Sequence, residues 1–122
     1  MSKILIVEDD PQFRSMLEQM LARDGHQVTA AKNGVDGLDR YYHTRPDLMI
    51  TDILMPEKDG IELILAILRK EPAARIIAIS GGRRGISADF NLESASLMGV
   101  KSILAKPFSH TELKRAIHDA LA

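Results

Sequence analysis

Two short apolar runs, Ile4-Leu5-Ile6-Val7 and Leu48-Met49-Ile50-Thr51, each end directly on acidic residues. Runs this short and unbroken do not alternate between a wet and a dry face, so each reads as a strand buried on both sides. Such strands belong to parallel sheets, whose crossover helices cover both faces. The first run delivers Glu8, Asp9 and Asp10, and the second delivers Asp52 just ahead of Ile53-Leu54-Met55-Pro56. Ligands of open parallel sheets bind at the carboxyl ends of the strands, so these acids stand where chemistry would be done.

The rest of the chain alternates strand with helix. Asp10 before Pro11 suits an N-cap with proline at the first helical position, and Phe13, Met16, Leu17, Met20 and Leu21 then recur at helical spacing as far as Gly25. Gln27 to Ala31 is a more polar strand, suited to a sheet edge, and Asn33 can cap a helix with Val35, Leu38 and Tyr42 on one face. After Asp52 a helix is predicted from about Lys58 to Pro72, with Ile61, Ile64, Leu65 and Leu68 buried. Arg75 to Ile79 is the fourth strand and Ser102 to Ala105 the fifth. Between them lie a glycine-rich connection, Ser80-Gly81-Gly82-Arg83-Arg84-Gly85, and a short helix suggested by Leu92, Ala95 and Met98 and closed by Gly99. Ser109-His110-Thr111-Glu112 matches a capping box opening a last helix with Leu113, Ala116, Ile117, Ala120 and Leu121.

Five strands alternating with five helices imply a doubly wound α/β fold, because right-handed crossovers place helices on both faces. The most apolar strands are the first, third and fourth. If those are central and the second and fifth are edges, the order 2-1-3-4-5 satisfies the pattern, and its switch point between strands one and three gathers Glu8, Asp9 and Asp52.

Composition narrows the classes of function. A chain of 122 residues and 13.5 kDa is one domain, 1–122. A net charge of −1 offers no electrostatic footing for non-specific nucleic-acid binding, and the absence of cysteine removes thiolate metal sites and cysteine nucleophiles. The apolar run after Met1-Ser2-Lys3 is too short for a signal peptide or membrane span, so a cytoplasmic setting is expected.

Three converging carboxylates repel one another unless a cation offsets them, and Mg2+, which takes oxygen ligands and keeps several waters, is the natural choice. A carboxylate such as Asp52 can act as nucleophile toward a phosphoryl group if other side chains neutralise the incoming charge. Ser80 after the fourth strand offers a hydroxyl, and Lys106 after the fifth offers an ammonium. Either alone would read as a turn or surface residue; their joint placement on the acidic edge gives them a role.

With these residues in view, the chain resembles a receiver domain of a two-component response regulator, of the stand-alone kind found in chemotaxis. The motifs that carry the resemblance are Val7-Glu8-Asp9-Asp10, Thr51-Asp52-Ile53-Leu54-Met55-Pro56 with Asp59-Gly60, Ser80-Gly81 and Lys106-Pro107-Phe108. It implies that Asp52 is the phosphoacceptor, that Glu8, Asp9, Asp52 and the Leu54 backbone carbonyl bind Mg2+, and that Ser80 and Lys106 hold the phosphoryl group. It further implies a cis Lys106-Pro107 bond and a histidine kinase or histidine phosphotransfer protein as donor, docking near the first helix. The domain would be a signalling switch, not an enzyme beyond its own phosphotransfer and dephosphorylation. Its signal would reach a downstream effector protein through the region from Ser80 to the C-terminal helix.

The sequence departs from the family in two places. Ile103 stands where receivers commonly carry an aromatic, so a rotating tyrosine is not the readout. Leu54 and Gly82 flank the expected approach of the hydrolytic water and offer it no side-chain hydrogen bond, so the lifetime of the phosphorylated state is expected to follow steric access and partners. His26, His43, His110 and His118 share no metal-ligand spacing and read as surface residues. Other readings fit less well. An aspartyl phosphatase needs an Asp-x-Asp that Glu8-Asp9-Asp10 does not supply, and a flavin carrier would want more than 4% aromatics. A pseudo-receiver that binds partners without phosphate would have no use for the full acidic set.

Overall fold

The computed structural model describes residues 2–53, 60–80 and 99–122. Its elements are β1 (Lys3–Val7), α1 (Pro11–Arg23), β2 (Gln27–Ala31), α2 (Gly34–Thr44), β3 (Leu48–Asp52), α3 (Gly60–Lys70), β4 (Ile76–Ser80), β5 (Ser102–Ala105) and α4 (His110–Leu121). All strand pairs are parallel and the order is β2-β1-β3-β4-β5, the expected one, with the polar β2 and the short β5 at the edges. Four helices are present among the described residues. The helix expected around Leu92 to Met98, the Arg83-Arg84 loop with Gly82, and Leu54 lie outside them.

Side chains alternate across the sheet, and both faces are dry. Leu5, Val7, Met49, Ile76 and Ala78 pack with Tyr41, Leu63, Ile64 and Ile67 on the face covered by α2 and α3. Ile4, Ile6, Leu48, Ile50, Ile77 and Ile79 pack with Leu17, Leu21, Leu113, Ala116, Ile117 and Ala120 on the face covered by α1 and α4. The same alternation places the acids. Glu8 continues the Ile4–Ile6 row and Asp52 the Leu48–Ile50 row, and the β1·β3 register of Ile4 with Leu48, carried on by four residues, sets Glu8 beside Asp52.

Three expectations are corrected. In α2 the buried residues are Gly34, Gly37 and Tyr41, while Val35 is 55% exposed and Tyr42 is half-buried. A Cβ on Gly37 would lie 2.9 Å from Val7 Cγ2, so the helix packs close to β1 through glycines and turns Val35 outward. In α3 the buried residues are Leu63, Ile64 and Ile67; Leu65 is exposed, and Ile61 and Leu68 are half-buried. The fourth strand runs one residue further than expected, since the Lys106 amide donates to the Ser80 carbonyl at 2.8 Å and keeps Ser80 in the ladder.

The helix ends follow their caps. Asp10 accepts from the Gln12 amide and Asn33 from the Asp36 amide. In α4 the Ser109 hydroxyl accepts from the Glu112 amide at 3.0 Å while the Glu112 carboxylate accepts from the Ser109 amide at 2.8 Å. Ser109→Ala removes one arm of this box and is expected to cost about 1 kcal/mol, lowering the melting temperature by about 4 °C in a thermal scan.

Candidate functional site

Four strand ends meet at one edge of the sheet. Glu8 follows β1 with its backbone still in the sheet, the amide donating to the Ala31 carbonyl at 3.0 Å. Its side chain is buried, at 1% exposure, beside Asp52 at 6%. Asp9 is exposed at the mouth. One carboxylate oxygen from each of Glu8, Asp9 and Asp52 falls within a set whose members all lie within 4.8 Å of one another. Hard oxygen donors in that arrangement suit a divalent cation such as Mg2+.

A cation from the protein already reaches two of these acids. Lys106 Nζ donates to Glu8 Oε1 at 3.1 Å and to Asp52 Oδ2 at 3.3 Å. Its position follows from β5, which pairs with β4 through Ser80 and Ala105. The Lys106–Pro107 bond is cis, as the resemblance implies. Burial alone would lower the Lys106 ammonium, but the Asp52 and Glu8 charges outweigh it and hold the group above the ordinary lysine range. Glu8 behaves in the opposite way. Burial first and the Asp52 charge second push its carboxyl up to about 7, against the pull of the Asp10 amide and Lys106.

Ser80 closes the constellation from β4. It is fully buried, and its hydroxyl has no hydrogen-bond partner among the described residues. A buried hydroxyl is costly to leave without a partner, so this one can still take an acceptor oxygen. The structure thus brings Glu8, Asp9, Asp52 and Lys106 together and sets Ser80 at the end of the neighbouring strand.

Three contacts were not read from the sequence. Arg14 Nη1 donates to the Glu8 carbonyl at 2.8 Å, which ties the first turn of α1 to the acidic end of β1. The Phe13 ring lies 4.1 Å from Lys106 Nζ. Gly60 packs so closely on β3 that a Cβ there would sit 2.7 Å from the Ile53 Cα and would overlap the Asp52 carbonyl. Gly60 carried a signal, since an Asp-Gly before an apolar helix marks a tight approach. Phe13 carried none, because Lys106 is distant in the chain, and Arg14 carried none, because its partner is a backbone carbonyl, which every residue offers.

Comparison with known proteins agrees with this geometry. The response regulator receiver domain family matches residues 4–118. The chain is 34% identical to chemotaxis protein CheY of Listeria monocytogenes, covering 98% of both chains. It is 36% identical to CheY of Bacillus subtilis, covering 98% of this chain and 97% of that one. A crystal structure of a response regulator receiver domain protein from Clostridium thermocellum superposes with a TM-score of 0.91 at 27% identity, over 99% of this chain and 94% of the other. With the 2-1-3-4-5 sheet, an acidic cluster at the strand ends and a family match over nearly its whole length, this chain belongs to the response regulator receiver domains.

Proposed function

We propose that this receiver accepts a phosphoryl group on Asp52 and passes the event on as a change in partner binding. The observation that carries this reading is the convergence on Asp52 of a buried acid, an exposed acid and a lysine ammonium, next to a buried serine hydroxyl with no partner among the described residues. Response regulators receive phosphate from histidine kinases and act on downstream targets. The donor here would be a histidine kinase or histidine phosphotransfer protein. No helix among the described residues is long and apolar enough to cross a membrane, and the cytoplasm is the setting proposed.

Each residue has a distinct task in the transfer. An Asp52 carboxylate oxygen attacks phosphorus, the bond from phosphorus to the donor nitrogen or oxygen breaks, and the leaving group departs with its electron pair. Lys106, now shared between Glu8 and Asp52, follows the charge as it moves onto the phosphoryl oxygens. Ser80 donates its hydroxyl to one of those oxygens and so gains a partner. Glu8, Asp9 and Asp52 would hold Mg2+, which offsets the negative charge of nucleophile and phosphoryl group when bound. Hydrolysis of the acyl phosphate by this same site would reset the switch.

Incubation with acetyl phosphate and Mg2+ tests the reading. Intact mass is expected to rise by one phosphoryl group on the wild type and not on Asp52→Ala. A phosphoryl adduct of equal yield on Asp52→Ala would place the acceptor elsewhere, and no adduct on the wild type would favour a phosphate-independent interaction module.

A further inference from the structure

An ammonium has three N–H donors, and the carboxylates of Glu8 and Asp52 engage Lys106 Nζ from one side. The Phe13 ring takes another side, its centroid 4.1 Å from Nζ. This is much closer than the other cation–ring approaches among the described residues, Arg45 and Lys70 over Tyr42 at 5.9 and 5.8 Å. Phe13 is itself held, since its ring meets Phe108 edge to face, with centroids 5.8 Å apart and planes at 83°, and packs against the core on the α1 and α4 side. Phe108 stands two residues after Lys106, so the two aromatics grip both the tip of the lysine and the turn that carries it.

We propose that Phe13 is a positioning residue for phosphotransfer, its ring face holding the Lys106 ammonium at the mouth of the Asp52 site. This rests on the phosphoacceptor reading given above. A partly desolvated ammonium over a ring face is attracted by the ring quadrupole, and the attraction is directional enough to choose among the rotamers of a four-carbon stem. Without the ring, Lys106 still pairs with the acids but samples more of the solvent-facing volume. Fewer encounters with the donor then find the ammonium in place. The maximal rate falls, while donor affinity, to which Ser80 and the acidic cluster with its cation also contribute, changes little.

The experiment uses the full chain with Mg2+ and acetyl phosphate and follows the intact mass against time at several donor concentrations. Phe13→Leu is expected to lower the maximal rate roughly ten-fold while the half-saturating donor concentration stays within about two-fold. Phe13→Tyr, which keeps the ring, is expected to stay near wild type. Replacement of Phe13 by 3,4,5-trifluorophenylalanine keeps the shape and strips the negative charge from the ring face, and it is expected to slow transfer much as leucine does. A trifluoro variant at wild-type rate beside a slow leucine variant would reduce Phe13 to packing and overturn the proposal. So would Phe13→Leu at wild-type rate. A wild-type chain that takes up no phosphoryl group would overturn the phosphoacceptor reading and this assignment together, whereas a phosphorylated wild type with an equally fast Phe13→Leu overturns this assignment alone.

Discussion

Gly60→Ala is expected to destabilise the domain by at least about 3 kcal/mol, a fall of about 12 °C in melting temperature, although the change adds only a methyl group. The first residue of α3 rests directly on the end of β3, with the Gly60 amide donating to the Ile53 carbonyl at 2.8 Å. A Cβ there would meet backbone, lying 2.7 Å from Ile53 Cα and 2.8 Å from the Asp52 carbonyl carbon. Backbone has no rotamer to yield, so either α3 lifts or β3 shifts. Either movement displaces Asp52 from Lys106, so phosphorylation by acetyl phosphate is expected to slow even well below the melting temperature. A thermal scan and a phosphorylation time course on the same sample check both effects. A variant with wild-type stability would show that the helix start can give way without loss.

The second large effect concerns pH and metal. Burial and the Asp52 charge raise the Glu8 carboxyl to about 7 in the folded chain from the 4.5 of an ordinary glutamate, so the folded state binds its proton more tightly than the unfolded state does. The stability contributed is therefore fully present below about pH 4.5 and is lost as pH rises through about 7. The difference corresponds to a loss of at most about 3 kcal/mol. In chelator, urea midpoints are expected to fall between about pH 5 and pH 8, and Glu8→Gln is expected to flatten most of that decline. Excess Mg2+ is expected to restore stability at the alkaline end in the wild type only, because a divalent ion favours the ionised carboxylate. A wild-type midpoint that rises across this window in chelator would contradict the assignment of the buried charge.

Three acids gathered at one edge of a sheet cost stability above neutral pH, and their place after apolar strands is what made them visible in the sequence. Carboxylates that end apolar strands are unusual enough to locate the acidic edge, and strand hydropathy separated the centre of the sheet from its borders. The helix faces were harder to read, for two different reasons. The α3 sequence Gly60-Ile61-Glu62-Leu63-Ile64-Leu65-Ala66-Ile67-Leu68 is apolar nearly all round, so its period cannot choose between Leu65 and Leu63. In α2 the buried stripe runs through Gly34 and Gly37, which carry no hydrophobic signal, while the visible Val35 faces outward. Ser80 and Lys106 were legible from their places after strands. Phe13 fell into the helical period of α1 and passed for core, because only the folded chain brings Lys106, 93 residues later, over its ring.

β5 is a four-residue edge strand with three half-buried residues and one exposed, so apolar burial alone secures it weakly. Beyond the backbone bond from Lys106 to Ser80, charge fastens its far end: peeling β5 away would drag Lys106 from Glu8 and Asp52 and leave two acids facing each other. The reactive charges therefore double as a clasp on the border of the sheet. Whatever alters the ionic state of the pocket also alters how readily that border opens to solvent.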